Sequence, residues 1–253
     1  LFTVIGDVMY YDAVDVLGVQ YDEAQIEMMD EQVILVDEHD NQIASMSKVE
    51  SHLGEGSLHR AFSVLLFNSK GELLIQKRAS TKITFPSVWA NSCCSHPLDT
   101  DIETNMDNDL GVKKAAIRKL YQELGVIPDE IPIDKFHLIT KMIYKSSADE
   151  TWVEHELDHI LFIQSDINLD INSNEVDEIL WVNQNSLDDL VDNSPNNGQI
   201  IAPWFKHIKT NFLDNWWGHL EDMEPLQDGL IHRVGDDAVS YTHLRAHETP
   251  EHR

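Results

Sequence analysis

Residues 118–126 read Arg-Lys-Leu-Tyr-Gln-Glu-Leu-Gly-Val and close the most regularly patterned segment of the chain. Across residues 109–124 apolar side chains recur at helical spacing, at Ala116, Leu120 and Leu124. Gly125 follows them as a stop signal, because glycine readily adopts the left-handed backbone that ends many helices. The segment therefore predicts an amphipathic helix that packs one face on a core.

Strand patterns surround this helix on both sides. The sequence predicts strands at 32–36, 136–145, 152–163 and 179–182, and a hairpin of 61–67 and 72–76 joined by a turn at 68–71. Further helices are predicted near 23–29, 184–191 and 200–217, and an Asp-rich loop at 99–109. Mixed strands with helices outside them indicate an α+β or α/β sandwich.

The chain is strongly acidic. Its 253 residues carry 45 acidic and 18 basic side chains, which gives a formal net charge of −27. Such a surface repels nucleic acid and anionic membranes and argues against both as partners. No apolar run approaches the roughly 18 residues of a membrane-spanning helix. An anionic ligand would need a local basic cluster or a divalent metal to overcome this field.

Length and composition indicate one sizeable domain with extensions, or at most two small domains. We assign residues 1–30 to an acidic N-terminal extension, 31–234 to the folded domain, and 235–253 to a non-native or disordered tail. Unpaired cysteines indicate a reducing compartment. The cytoplasm is the expected location, and a plastid or peroxisome is the alternative.

The only two cysteines, Cys93 and Cys94, lie side by side in Asn-Ser-Cys-Cys-Ser-His-Pro, residues 91–97. Adjacent cysteines rarely bridge each other, so a structural disulfide framework is excluded for a monomer. What remains is a thiol close to His96, a potential metal ligand. The pattern favours chemistry over packing.

Other histidines and carboxylates could complete a metal site with His96. His52 and His59 flank a flexible Gly-Glu-Gly loop, and Glu154 and Glu156 share one face of their predicted strand. Taken singly, surface histidines and solvent-facing carboxylates are the simpler interpretation. Together they form a candidate His3Glu2 site whose ligands suit Zn²⁺, Mn²⁺ or iron, whereas Mg²⁺ prefers oxygen.

Basic residues near this segment could bind an anionic ligand. Arg78 and Lys82 are four residues apart, and Lys48 lies upstream. A guanidinium offers a planar, bidentate fork to a diphosphate. Taken alone, ordinary surface charge is the better explanation of these residues.

Residues 118–126 resemble the second half of the Nudix box, whose helix presents glutamates that hold Mg²⁺ on a diphosphate. Lys119 and Gln122 replace two of its three glutamates, and the upstream Gly and Glu of the box are missing. Glu123 remains. A chain with this frame should bind a diphosphate without readily hydrolysing it.

The wider chain, residues 21–234, resembles the type I isopentenyl-diphosphate isomerase family, a branch with the Nudix fold. The resemblance rests on motifs that occur in order, at 59–64, 82–86, 91–97, 152–156, 203–205 and 216–217. It implies an α+β fold, a Nudix-like α/β/α sandwich with a mixed sheet plus the N-terminal extension. It also implies interconversion of isopentenyl and dimethylallyl diphosphate, in isoprenoid biosynthesis, through a carbocation-like intermediate.

The same resemblance implies roles for individual residues. The catalytic group would be Cys94, Glu156 and Tyr144. The substrate-binding group would be Lys48, Arg78, Lys82, Ser95 and Trp204, with Trp204 over the hydrocarbon tail. A divalent metal (Zn²⁺, Mn²⁺ or Mg²⁺) would bind His52, His59, His96, Glu154 and Glu156, and Glu123 would hold Mg²⁺ on the substrate diphosphate. We expect basic neighbours or the metal to lower the thiol pKa of Cys94 from about 8.5.

Other functions compete with the isomerase interpretation. A Nudix hydrolase of a diphosphate substrate is the main alternative, and the lost box glutamates argue against it. A metal-binding module with a redox-active cysteine pair and a thiol protease are weaker alternatives. The resemblance implies a monomer that acts on a small diphosphate.

Overall fold

The computed structural model describes residues 12–235, which form ten strands in one mixed sheet. The strands are β1 Gln32–Val36, β2 Gln42–Ser47, β3 His59–Phe67, β4 Leu73–Arg78, β5 Trp89–Ala90, β6 Cys93–Ser95, β7 His137–Ser147, β8 Val153–Gln164, β9 Val176–Val182 and β10 Ile231–Arg233.

The α-helices of this range lie around the sheet. They are α1 Ala13–Leu17, α2 Glu23–Met29, α3 Lys48–Ser51, α4 Leu110–Leu124, α5 Gln184–Asn197, α6 Pro203–Ile208 and α7 Asp214–Trp216, with a π-helical segment, Lys209–Leu213, between the last two. Short 3₁₀ segments occur at Gly18–Gln20, Asp107–Asp109, Pro128–Glu130, Ile133–Lys135, Trp217–His219 and Glu224–Leu226.

Strand β3 is the centre of the sheet. It pairs in parallel with β8 along its whole length and antiparallel with β6 on its other side. All nine of its residues are buried. Burial on both faces explains why its sequence from Ala61 to Phe67 is a nearly continuous apolar run instead of an alternating one. Beyond β8 the order continues through β7 to β10.

Two hydrophobic layers cover the faces of the sheet. On one face α4 packs Val112, Ala116, Leu120 and Leu124 against apolar side chains of β3 and β8. On the other face Trp204, Phe205 and Ile208 of α6 pack against the opposite side of the same strands. Helices on both faces of a mixed sheet make an α/β/α sandwich, so the predicted fold class is confirmed.

The helix predicted from residues 109–124 is α4. Its C-cap, Gly125, has φ +67° and donates its N–H to Tyr121 at 3.0 Å. The left-handed backbone at this position favours glycine because a side chain would be strained there.

The hairpin predicted at 61–76 forms only at its turn. Asn68 Oδ1 accepts the N–H groups of Lys70 and Glu72, and Phe67 pairs with Leu73. Beyond that pair, β4 hydrogen-bonds with β5 and β9 instead of β3. The hairpin prediction was therefore wrong away from the turn, because the neighbours of β4 come from later in the chain.

The N-terminal segment is docked on the domain where it is described. Ala13, Leu17 and Met29 are buried with Val49 and Trp152. Residues 1–11 of the predicted extension and 236–253 of the predicted tail lie outside the described residues. None of the helices within 12–235 has the length and apolar character needed to cross a membrane.

Candidate active site

One pocket collects most of the side chains singled out in the sequence. All the predicted site residues except His59 line this pocket. They are Lys48, His52, Arg78, Lys82, Cys94, Ser95, His96, Glu123, Tyr144, Glu154, Glu156 and Trp204. The lining also includes residues to which the sequence assigned no role in the site, chiefly Gln25 and Lys119.

The strand register explains why these distant residues meet. Glu156 of β8 pairs with His59 of β3 on one side and with Tyr144 of β7 on the other. Cys94 of β6 pairs with Ser63 on the far side of β3. Glu156 and Cys94 therefore lie on strands separated by β3 alone, and both line the pocket.

Two histidines point their Nε2 atoms into a shared space. His52 Nδ1 lies 2.8 Å from the Lys48 carbonyl oxygen, and His59 Nδ1 lies 2.7 Å from that of Ser57. A carbonyl only accepts, so each Nδ1 carries a hydrogen, which leaves each Nε2 as the nitrogen available to a metal. His59 Nε2 is buried and has no hydrogen-bond partner among residues 12–235.

His96 and Glu156 complete this cluster. His96 Nε2 lies 2.8 Å from Glu156 Oε1, and the potential ligand atoms of His52, His59, His96 and Glu156 all lie within 4.8 Å of one another. Burial lowers the pKa of His52 well below its ordinary value and that of His96 to about 4. Neutral imidazoles are the form that binds metal. The buried His3Glu cluster is therefore compatible with a divalent metal.

The phenol of Tyr144 bridges two buried carboxyl groups. Its oxygen lies 2.9 Å from Glu154 Oε2 and 2.6 Å from Glu156 Oε2. A phenol has one hydrogen, so it donates to one carboxyl group and accepts from the other. Burial and the charge of Glu156 raise the pKa of Glu154 well above its usual range. Glu154 is then the carboxylic acid that donates to the phenol.

Glu156 is the carboxylate at the other end of this chain. Burial opposes its ionisation, but the adjacent imidazoles of His59 and His96 outweigh burial and hold the pKa of Glu156 well below its usual range. Glu154 lies outside the four-residue cluster. The assignment of Glu154 as a fifth metal ligand therefore stays a prediction. The catalytic, substrate-binding and metal-binding roles assigned to the other site residues also stay predictions.

The electrostatics of Cys94 differ from the expectation. Burial raises the pKa of the Cys94 thiol to about 12, and the nearby Arg78 opposes the shift only in part. The expected lowering by basic neighbours was therefore wrong for the protein alone, because desolvation of the thiolate outweighs one guanidinium. Cys93 is fully buried and belongs to the same apolar cluster as Val112 of α4.

Three charged residues of the pocket are shielded from solvent. Glu154 and Glu156 are buried, as is Arg78, which donates to the carbonyl oxygens of Phe85 and Thr84. The interpretations as solvent-facing carboxylates and ordinary surface charge were therefore wrong for these residues.

Comparisons with known proteins agree with this geometry. The NUDIX domain family matches residues 57–205. The chain is 45% identical over 217 residues to isopentenyl-diphosphate Delta-isomerase II, chloroplastic, of Arabidopsis thaliana, across 82% of this chain and 76% of that protein. The chain belongs to the isopentenyl-diphosphate isomerase family of the Nudix superfamily. The corresponding isomerase of Gibberella zeae is 47% identical over 208 residues, across 79% of this chain and 81% of that protein.

A solved structure supports the fold alone. DR0079 of Deinococcus radiodurans matches with a TM-score of 0.50 and 16% identity, across 72% of this chain and 99% of that one.

In this member of the isomerase family the Nudix helix carries an internal ion pair. Lys119 Nζ lies 3.2 Å from Glu123 Oε1 and 3.3 Å from Glu175 Oε2. Gln76 Nε2 donates to Glu123 Oε2 at 2.9 Å. Glu123, the one glutamate of the Nudix box that remains, is therefore paired with Lys119, which stands where the box has another glutamate. The departure from the Nudix box at Lys119 was a sequence signal that could have identified this ion pair. No sequence pattern identified its other partner, Glu175.

The lysines at the mouth of the pocket are also paired. Lys48 Nζ lies 2.6 Å from Glu31 Oε2, and Lys82 Nζ lies 2.6 Å from Glu175 Oε2. Burial lowers the pKa of Lys48 to about 8, although Glu31 opposes the shift. Each carboxylate favours the charged form of the lysine with which it pairs.

The Asp-rich loop supports the chain segment that carries His96. Glu103 is buried, accepts from Arg118 Nε at 2.7 Å and Nη2 at 2.9 Å, and accepts the Leu98 N–H at 2.8 Å. Arg118 Nη2 also donates to the His96 carbonyl oxygen at 3.1 Å. The sequence assigned no role to this loop. Through Glu103 and Arg118 it connects α4 to His96 and Leu98, the residues on either side of Pro97.

Proposed function

We propose that this protein interconverts isopentenyl diphosphate and dimethylallyl diphosphate. The observation that carries the proposal is the placement of a thiol, Cys94, and a phenol–carboxylate pair, Tyr144 and Glu156, on strands either side of β3 in one pocket. The named isomerases that resemble the chain over most of its length support the same activity.

The reaction moves two protons at different carbons. One proton adds to the terminal alkene carbon, which leaves a tertiary cation, and a different proton leaves the carbon next to the CH₂O group. Groups on two walls of the pocket are needed because one group cannot reach both carbons on opposite faces. We assign the first transfer to Glu156 with Tyr144 and the second to Cys94, with the roles reversed in the back reaction.

Arg78 supports the charge change at the thiol. Its Nη1 lies 3.7 Å from Cys94 Sγ, so a thiolate formed there has a guanidinium beside it. The buried Tyr144 keeps its proton at neutral pH, because burial raises the phenol pKa well above its ordinary value. The phenol can therefore pass a proton between carboxyl groups without ionising.

A divalent metal would assist the proton transfer assigned to Glu156. We assign a divalent metal to His52, His59, His96 and Glu156, with Glu154 close by. When bound, it supplies positive charge next to the carboxylate that handles the proton. Zn²⁺ and Mn²⁺ suit three imidazoles, and Mg²⁺ is the remaining candidate. We assign Mg²⁺ on the substrate diphosphate to Glu123.

Substrate binding uses the basic and aromatic lining. Lys48, Arg78 and Lys82 supply positive charge for the diphosphate, with Ser95 as a hydrogen-bond donor. Trp204 lies over the same pocket and offers its ring to the hydrocarbon tail and the cation. These cations counter the repulsion that a chain of net charge −27 exerts on a diphosphate.

The decisive experiment is isomerisation of isopentenyl diphosphate in heavy water. The unmodified protein should incorporate deuterium into dimethylallyl diphosphate, while Cys94→Ala and Glu156→Gln should lose turnover with folding retained. Cys93→Ala is the matched control, because that thiol is fully buried in the core. Full activity in both site variants would sink the proposal. Release of inorganic phosphate instead of isomer would favour the hydrolase.

We also propose that the protein is a monomer in a reducing compartment, with the cytoplasm preferred over a plastid or peroxisome. Both cysteines are unpaired, which supports the reducing compartment. Light scattering of the purified chain tests the oligomeric state, and fluorescent tagging of the full-length protein tests the compartment.

A further inference from the structure

Asn91 lies just before the cysteine strand and is completely buried. Its Nδ2 donates to the carbonyl oxygens of Val64 at 3.1 Å and Cys93 at 2.8 Å, and its Oδ1 accepts from Trp204 Nε1 at 3.0 Å. Carbonyls only accept and an indole N–H only donates. The amide therefore has one orientation that satisfies all three partners.

The two donated hydrogen bonds fix the amide to the core of the sheet. Val64 belongs to β3 and Cys93 to β6, and the two residues pair directly across the strands. Both are completely buried. The side-chain oxygen of Asn91, Oδ1, is therefore held rigidly, and the indole N–H of Trp204 must align with it.

The alignment decides which part of the Trp204 ring meets the pocket. The guanidinium carbon of Arg78 lies 5.5 Å over the ring centroid, and Phe85 meets the ring edge-to-face at 5.3 Å. Arg78 also reaches Cys94 Sγ at 3.7 Å. The ring thus turns a face toward the side of the pocket where the thiol lies.

We propose that Asn91 is a positioning residue that sets the orientation of Trp204 for the isomerisation. This inference rests on the proposed function. Without the indole hydrogen bond the ring can rotate and present its N–H edge, which carries positive charge, to a developing cation. A ring face stabilises a cation, whereas its edge repels one. Rotation would also admit water to the cation.

A double-mutant cycle tests this action through Trp204. Asn91→Ala should lower kcat about tenfold and change KM less than about twofold, because Asn91 hydrogen-bonds two backbone carbonyls and Trp204 and none of the residues assigned to the diphosphate. In a Trp204→Phe background, Asn91→Ala should lower kcat by less than a further twofold or so. Losses that multiply would show that Asn91 acts independently of the ring and would overturn the proposal.

A spectroscopic measurement covers the case in which Asn91→Ala does not fold. Asn91→Ser retains a donor for one strand carbonyl but is too short to reach the indole. The Trp204 Nε1–H resonance of ¹⁵N-labelled protein, assigned by its loss in Trp204→Phe, should shift upfield and exchange faster in Asn91→Ser. An unchanged resonance would overturn the proposal. Gln164→Met is the matched control, because it removes another amide that donates to a backbone carbonyl, that of Asn68.

The outcomes separate this inference from the proposed function. If the unmodified protein does not isomerise its substrate, the function fails, and the Trp204 resonance still tests the geometry. If the unmodified protein isomerises and the cycle is multiplicative, only the role of Asn91 fails.

Discussion

Arg78 Nη1 lies 3.7 Å from Cys94 Sγ, and this guanidinium opposes the effect of burial on the thiol. Because the pKa of Cys94 is about 12, only about one thiol in ten thousand is ionised at pH 8. We expect slow iodoacetamide alkylation of Cys94 near neutral pH in metal-free protein, rising about tenfold per pH unit. Arg78→Met should slow it further, since the pKa rises when the cation is lost.

Mass spectrometry of alkylated peptides measures this rate, and Cys93 is the internal reference. Cys93 is fully buried, so it should react only on unfolding. Rapid alkylation of Cys94 that does not vary between pH 6 and 9 would contradict the raised pKa.

Tyr144 should matter for turnover more than for binding. Tyr144→Phe removes the hydroxyl that lies 2.6 Å from Glu156 and 2.9 Å from Glu154, so the proton path between the carboxyl groups is lost. We expect kcat to fall about 10²-fold, a usual loss for removal of a proton-transfer group. Steady-state kinetics should show KM nearly unchanged, and a rise in KM alone would assign Tyr144 to binding.

The histidine cluster predicts a stability effect of metal. The buried Nε2 of His59 has no hydrogen-bond partner within residues 12–235, and a metal would satisfy it. Metal at a hundred times its Kd should stabilise the fold by about 2.7 kcal/mol. Calorimetry before and after chelation should show this gain, and His59→Ala should abolish it. His39→Ala, at an exposed histidine, should retain it.

Local sequence signals predicted several elements well. The cap residue Asp22 accepts the N–H groups of Ala24 and Gln25, and α2 spans Glu23–Met29, which matches the predicted helix at 23–29. Strand β1 likewise spans the predicted residues 32–36. These elements are specified by their own side chains, so a short window contains enough information.

Elements that depend on distant partners were missed. Strand β6, Cys93–Ser95, is three residues long and exists because it pairs with β3. Strand β10 forms against β7, about ninety positions earlier in the chain. Asn91 and Glu175 were missed for the same reason, since their partners are remote in sequence. The histidine and glutamate set was proposed from its residue types and from the strand spacing of the two glutamates, and the family resemblance then implied the role of each residue.

Glu103 should affect metal binding from a distance. It fixes Arg118, which donates to the His96 carbonyl oxygen at 3.1 Å. Glu103→Gln removes one charge-assisted contact, and we expect metal affinity to fall about tenfold, since residues behind metal ligands commonly contribute 10- to 100-fold. Titration calorimetry with Zn²⁺ measures the change. Asp101→Asn is the control, because it removes the same charge at an exposed site of the same loop. An equal loss in both variants would assign the effect to net charge.

Asp40 should contribute stability that disappears in acid. Its side chain bonds Arg60 Nε at 2.7 Å and both His159 Nε2 and Lys141 Nζ at 2.8 Å. Burial alone would raise the pKa of Asp40, but these three partners outweigh it and hold the pKa well below its usual range. The unfolded chain binds its proton first, near pH 3.9. The stabilisation is therefore complete above about pH 5 and is lost as pH falls toward the folded-state pKa.

Asp40→Asn isolates this effect, because asparagine tolerates the left-handed backbone at this position, φ +67°. Breaking a buried ion pair costs about 3 kcal/mol, so urea denaturation at pH 7 should show a loss of that order. Below about pH 4 the difference in free energy of unfolding between the two proteins should narrow by about 1.4 kcal/mol per pH unit. A gap that stays constant from pH 7 to pH 3 would mean that the carboxylate charge does not hold this network together.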